Sequence, residues 1–102
     1  MTRTDAIARA RDILHSGEFL RELDRRVAYQ TESQNPEKQG ALRAYLIEDL
    51  VPAFSKLDFS TRLIESPTGK NPYLLAEYRE SGSAPTVLMY GHGDVVDGMV
   101  GE

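Results

Sequence analysis

The sequence contains no cysteine, which excludes a disulfide framework, a thiolate metal site and a cysteine nucleophile within these residues. It also lacks an excess of positive charge. The formal net charge is -4, and acidic and basic residues are interspersed, so there is no basic patch for nucleic acid. No apolar run approaches the length of a membrane span, and we expect no membrane partner.

The length of 102 residues fits one domain at most, and a hydrophobic content of 40% allows only a modest core. Part of a larger domain is equally compatible with these values. Residues 1–5 lead into charged helical sequence without an apolar signal core, so the expected location is cytoplasmic.

The first half of the chain has apolar residues at helical spacing, which predicts three helices. The predicted helices are one capped by Thr4 or Asp5 that ends before Ser16, one over residues 18–28, and one that begins at Asn35-Pro36 and is interrupted or ended at Pro52. His15 lies in the last turn of the first helix and is interpreted as a surface residue. Thr31, Glu32 and Ser33 are interpreted as a polar loop rather than a substrate-binding segment.

The hydrophobic period then changes from about 3.6 to 2, which predicts strands. Residues 59–65 and 73–79 flank a turn cluster and are expected to form a β-hairpin. Residues 86–90, Thr-Val-Leu-Met-Tyr, form an unbroken apolar run typical of a central strand buried on both faces. Such a strand needs helices on both sides of its sheet, so the predicted fold is α/β and residues 1–102 are expected to be an incomplete domain.

His92 and Asp94 directly follow this apolar run, in the sequence Tyr-Gly-His-Gly-Asp-Val-Val. Side chains two residues apart lie on the same side of an extended chain, so Asp94 can accept the N–H of the His92 ring. That contact leaves the other ring nitrogen free to bind a metal. The alternative is a plain turn in which His92 is half exposed and Asp94 caps the backbone.

The helices, the hairpin and residues 86–96 together resemble the start of the M20 family of metallopeptidases, which includes dipeptidases, carboxypeptidases and deacylases. Residues 19–33, FLRELDRRVAYQTES, are similar to the helix and polar segment that open the catalytic domain of that family. The resemblance implies that residues 1–102 are the N-terminal fragment of a larger three-layer, zinc-peptidase-like domain. It also implies that His92 is a ligand of a two-zinc site and that Asp94 orients it.

The activity implied by this resemblance is zinc-dependent hydrolysis of amide or peptide bonds by a metal-activated water, with cobalt or manganese as alternative metals. The expected partners are a dipeptide or N-acyl amino acid substrate and, for the full-length protein, a second copy of the chain. The general base and the other ligands of the family are absent from the sequence, so residues 1–102 alone are expected to be inactive. Asp97 stands where the family often has proline.

Two other interpretations stay open. A strand that ends in Gly-His-Gly also resembles the oxyanion loop of an α/β-hydrolase, although no Gly-x-Ser-x-Gly motif occurs here. A non-catalytic binding module with a structural His92 is the other alternative.

Overall fold

The computed structural model describes residues 1–98, so the last four residues of the predicted domain lie outside it. It contains helices in its first half and a two-stranded sheet after them, which confirms a mixed helix and strand architecture. The elements are α1 (Arg3–His15), α2 (Glu18–Val27), a 3₁₀-helix (Pro36–Lys38), α3 (Gln39–Ala44), a π-helix (Tyr45–Leu50), α4 (Val51–Ser55), β1 (Ser60–Ile64) and β2 (Tyr73–Glu77). No helix within residues 1–98 is long and apolar enough to cross a membrane.

The N-cap of helix α1 lies two residues before Thr4, the nearer of the two predicted caps. Thr2 is the N-cap, because its hydroxyl accepts the N–H of Asp5 while the Asp5 carboxylate accepts the N–H of Thr2, at 3.1 and 2.9 Å. This reciprocal capping box satisfies two backbone donors that the first turn leaves free. The predicted cap at Thr4 or Asp5 is therefore wrong, whereas the predicted end before Ser16 is confirmed.

The third helical region begins with Asn35 as its cap, as predicted, but it continues through Pro52 to Ser55. The backbone widens to a π-helix just before the proline. Proline has no N–H to donate to the carbonyl four residues back, and a local change in helix geometry accommodates that loss. Pro52 therefore interrupts the α-helical geometry without ending the helical path.

Helix α2 is attached to the π-helix by charged side chains. Asp49 is 4% exposed and accepts hydrogen bonds from the Nε atoms of Arg25 and Arg26, both at 3.2 Å. Glu22 pairs with both arginines, at 2.9 and 3.0 Å. A buried carboxylate is tolerated only when it is paired in this way, so these four residues set how α2 lies on the following helix.

The predicted hairpin is confirmed. Strands β1 and β2 pair in antiparallel fashion, with Arg62 opposite Leu75 at the centre of the register. Thr61 and Leu63 lie on the better-covered face of β1, as the period of two predicts. The centroid of the Phe59 ring lies 5.4 Å from that of Phe54 and 5.5 Å from that of Tyr78. These aromatic contacts join the sheet to α4.

The prediction of a central strand at residues 86–90 is wrong, because these residues do not form a strand. Residues 87–90 are between 80% and 90% exposed, and the segment has no strand geometry. A strand is stabilised by a hydrogen-bonded neighbour, but within residues 1–98 β1 pairs only with β2 and no segment pairs with residues 86–90. Apolar composition alone therefore did not create a buried strand.

Few apolar side chains of the described residues are buried. Leu42 is the one buried apolar side chain among residues 1–98, and the α2 residues Phe19 and Val27 are 49% and 72% exposed. The radius of gyration is 16.4 Å, compared with about 13 Å for a compact domain of this length. The larger three-layer domain stays a prediction.

Candidate metal centre

The loop that carries His92 and Asp94 is attached to the polar segment that follows α2. The N–H of Val95 donates to the Thr31 carbonyl at 2.9 Å, and the N–H of Ser33 donates to the Val95 carbonyl at 3.3 Å. Together they form a parallel bridge between Glu32 and Val95. Residues 31–33, here named the docking segment, thus join two parts of the chain that are more than 60 residues apart.

Side chains of the docking segment alternate between two sides, as in any extended chain. On one side the buried Thr31 hydroxyl donates to the Gly93 carbonyl at 2.6 Å, and the Ser33 hydroxyl donates to Asp94 Oδ2 at 2.8 Å. On the other side Glu32 Oε1 accepts the N–H of Gly98 at 3.2 Å. The docking segment therefore contacts the loop at Gly93 and Asp94 and again at Gly98.

The side chains of His92 and Asp94 meet within the loop. His92 Nδ1 lies 3.2 Å from Asp94 Oδ1 and 3.1 Å from the Asp94 carbonyl oxygen. A backbone carbonyl and an ionised carboxylate can each only accept a hydrogen bond. His92 Nδ1 must therefore carry the hydrogen. In the neutral ring, Nε2 then holds the free lone pair, and the His92 side chain is 69% exposed to receive a ligand.

Asp94 is ionised at neutral pH. The hydrogen bond from Ser33 is the main cause that lowers the pKa of its carboxyl group, partial burial opposes this, and the nearby His92 adds to the lowering. An ionised carboxylate is the stronger acceptor for the His92 ring.

A pair of tyrosine rings supports the loop: one ring contacts the loop, and the second packs against the first. The Tyr45 ring packs directly against Gly93, and its centroid lies 5.4 Å from that of Tyr29. Burial raises the pKa of the Tyr45 hydroxyl, so this ring is neutral and acts as a packing surface at ordinary pH.

The donor set fits one ligand of a metal site. His92 supplies an imidazole whose Nε2 is free, and Asp94 holds the ring in that tautomer. Among residues 1–98 no group of three or more histidine, aspartate or glutamate side chains is placed to hold a metal ion. A zinc ion needs three or four protein ligands, so this pair fits the metal as one of those ligands and its orienting partner.

The structure brings together the two residues that the sequence singled out, His92 and Asp94, and leaves His15 on the surface in α1. The sequence interpretation missed the docking segment, which was expected to be a plain polar loop. The spacing of Thr31 and Ser33, two residues apart in a stretch without helical period, was the available signal. This spacing places both side chains on one side of the chain, but it does not indicate that this side faces Gly93 and Asp94.

A comparison of the chain with protein-family models, with curated proteins and with solved structures found no match.

Proposed function

We propose that this chain contributes one ligand histidine, His92, and its orienting carboxylate, Asp94, to a zinc-dependent hydrolase of the M20 type. The observation that carries the proposal is the contact of His92 Nδ1 with Asp94, at 3.2 Å to the carboxylate and 3.1 Å to the carbonyl. A ring held by its Nδ1 atom presents Nε2 in a fixed direction, which is what a metal ligand requires.

Each residue of the pair has a separate part in this function. His92 Nε2 donates its lone pair to the metal, and Asp94 fixes the ring and raises its basicity. A bound zinc ion would supply Lewis-acid activation of an amide carbonyl and of a water molecule. The proposed site holds two ions, with cobalt or manganese as alternatives, and its remaining ligands and general base come from residues other than those described.

The proposed substrates are dipeptides and N-acyl amino acids, which follow from the resemblance of residues 86–96 to the M20 family. The proposal includes a cytoplasmic location, as expected from the sequence. Hydrolysis by residues 1–102 without further ligands would contradict it, because a single imidazole does not hold a catalytic ion.

The test is metal analysis of the complete gene product, purified without chelator, together with hydrolysis of a panel of dipeptides and N-acyl amino acids. We expect bound zinc, cobalt or manganese and measurable hydrolysis. His92→Ala should lower both the metal content and the rate. A protein that contains none of these metals would contradict the proposal.

The chain offers a matched control because it has only one other histidine. His15→Ala removes the same side chain from the end of α1, and metal content and rate should stay unchanged. Asp94→Ala should preserve the fold but weaken metal binding or slow the reaction about 10- to 100-fold. An Asp94→Ala protein with unchanged affinity and rate would contradict the orienting role.

A further inference from the structure

Ser33 is the residue that completes the arrangement around Asp94. Its hydroxyl donates to Asp94 Oδ2 at 2.8 Å, while the other carboxylate oxygen, Oδ1, lies 3.2 Å from His92 Nδ1. The three side chains therefore form one chain of contacts, from Ser33 through Asp94 to His92. The two oxygens of the carboxylate are engaged by different partners.

We propose that Ser33 is a positioning residue that fixes the rotation of the Asp94 carboxylate and thereby the ring orientation and tautomer of His92. The proposal rests on the proposed function for its link to metal binding, but the effect on the His92 ring stands without a metal. A substrate or metal contact of Ser33 is not part of it.

Rotation of the carboxylate is the freedom that Ser33 removes. The Asp94 side chain is 46% exposed, so water competes for its oxygens, and the terminal torsion of an aspartate has a broad minimum. A charge-assisted hydrogen bond to Oδ2 confines that torsion. With Oδ2 held, Oδ1 faces the imidazole.

Ser33 can do this because its own backbone is held. Its N–H donates to the Val95 carbonyl at 3.3 Å, and the N–H of Val95 donates to Thr31 at 2.9 Å. Both bonds are made by Val95, the residue that follows Asp94, and they pair it with the backbone on either side of Glu32. In this extended pairing the side chains of Ser33 and Thr31 lie on the same side. The hydroxyl is thus presented from a paired backbone rather than from a free loop.

The experiment uses the 102-residue chain with ¹⁵N-labelled histidine and measures the tautomer of His92 from its ring nitrogen shifts at neutral pH without metal. In the unsubstituted chain we expect the hydrogen on Nδ1. Ser33→Ala should shift the population toward the Nε2–H form, and Ser33→Thr, which retains a hydroxyl, should restore the original signals. Ser66→Ala, which removes a hydroxyl bonded to Thr68 in the hairpin turn, is the matched control and should change nothing.

Zinc chloride added to the same samples gives the second measurement. We expect Ser33→Ala to weaken the response of His92 by about 3- to 10-fold in zinc concentration, less than the 10- to 100-fold typical for a direct orienting partner. In an Asp94→Ala background the serine substitution should have no additional effect, because a residue that acts through another is not additive with it.

The outcomes separate this proposal from the proposed function. If the tautomer shifts in Ser33→Ala but no variant responds to zinc, the positioning role stands and metal binding fails. If circular dichroism shows a folded Ser33→Ala chain with an unchanged His92 tautomer, the positioning role is overturned whatever zinc does. An effect that persists equally in Asp94→Ala would also overturn it.

Discussion

The ring of Tyr45 lies so close to Gly93 that a methyl group at position 93 would overlap its Cε1 atom and lie 3.1 Å from Cδ1. This contact places an aromatic ring directly behind the residue between His92 and Asp94. The loop can approach so closely only because glycine has no side chain. The position of His92, the candidate metal ligand, is therefore set partly by a helix residue 47 positions earlier in the chain.

Gly93→Ala should destabilise the protein by about 1 to 3 kcal/mol, since the added methyl group must displace the ring or the loop. The matched control is Gly91→Ala, because a methyl group at position 91 would meet no atom within 4 Å. Urea denaturation of the two variants gives the comparison. Equal stability of both would contradict the packing described here.

A double substitution identifies Tyr45 as the cause. Once Tyr45→Ala has removed the ring, Gly93→Ala should cost much less than it does alone, with a coupling free energy of about 0.5 to 3 kcal/mol. If the losses in unfolding free energy of the two substitutions are additive, the added methyl group clashes with something other than Tyr45.

Thr31→Val should destabilise the protein by about 1 to 3 kcal/mol, because it leaves the Gly93 carbonyl without its buried donor at nearly constant volume. Thr61→Val is the control, since Thr61 lies in β1 and its hydroxyl makes no hydrogen bond to another residue of the described chain. Its expected effect is within about 0.5 kcal/mol. Similar urea midpoints for the two valine variants would rule out a stabilising role for the Thr31 hydroxyl.

Local sequence signals predicted much of the fold. The bounds of α2 and the hairpin follow from hydrophobic spacing and from the turn cluster, both of which act over a few residues. Asn35 caps the following helix because its side chain accepts the N–H of Glu37, again a local contact. The pairing of His92 with Asp94 was predictable for the same reason, since the two residues are only two positions apart.

The parts that sequence reasoning missed depend on distant partners. Residues 86–90 look like a buried strand by composition, but burial needs neighbours that the described residues do not supply. Conversely, the docking segment looks like a polar loop because its hydrogen-bonding partners lie more than 60 residues away. Local patterns contain no information about which distant backbone a polar side chain will contact.

Asp49→Asn should destabilise the protein by about 1.5 to 3 kcal/mol, the usual loss for hydrogen bonds to a charged group. The substitution keeps the shape but removes the charge that faces Arg25 and Arg26. Glu48→Gln neutralises the exposed neighbouring residue and should change stability by less than about 0.5 kcal/mol. Thermal unfolding of both variants tests this, and equal melting temperatures would contradict the structural role of Asp49.

Acid should weaken the wild-type protein partly through the same residue. Burial of Asp49 opposes its ionisation, but the hydrogen bonds from Arg25 and Arg26 outweigh this and hold its pKa below the ordinary 3.8. The unfolded chain therefore binds this proton more readily, so the stabilisation is present above about pH 4 and is lost as the pH falls through the lowered pKa. Asp49→Asn should show a smaller fall in unfolding free energy between pH 6 and pH 3, and identical slopes would contradict this assignment.

The most direct test of the central claim is to identify which histidine nitrogen responds to zinc chloride in the ¹⁵N-histidine-labelled chain. The orientation of the pair predicts that zinc shifts the Nε2 signal of His92, that Nδ1 keeps its hydrogen, and that His15 responds only at higher zinc concentration. A zinc response at Nδ1 of His92, or an equal response of both histidines, would contradict the claim that Asp94 presents His92 as a metal ligand.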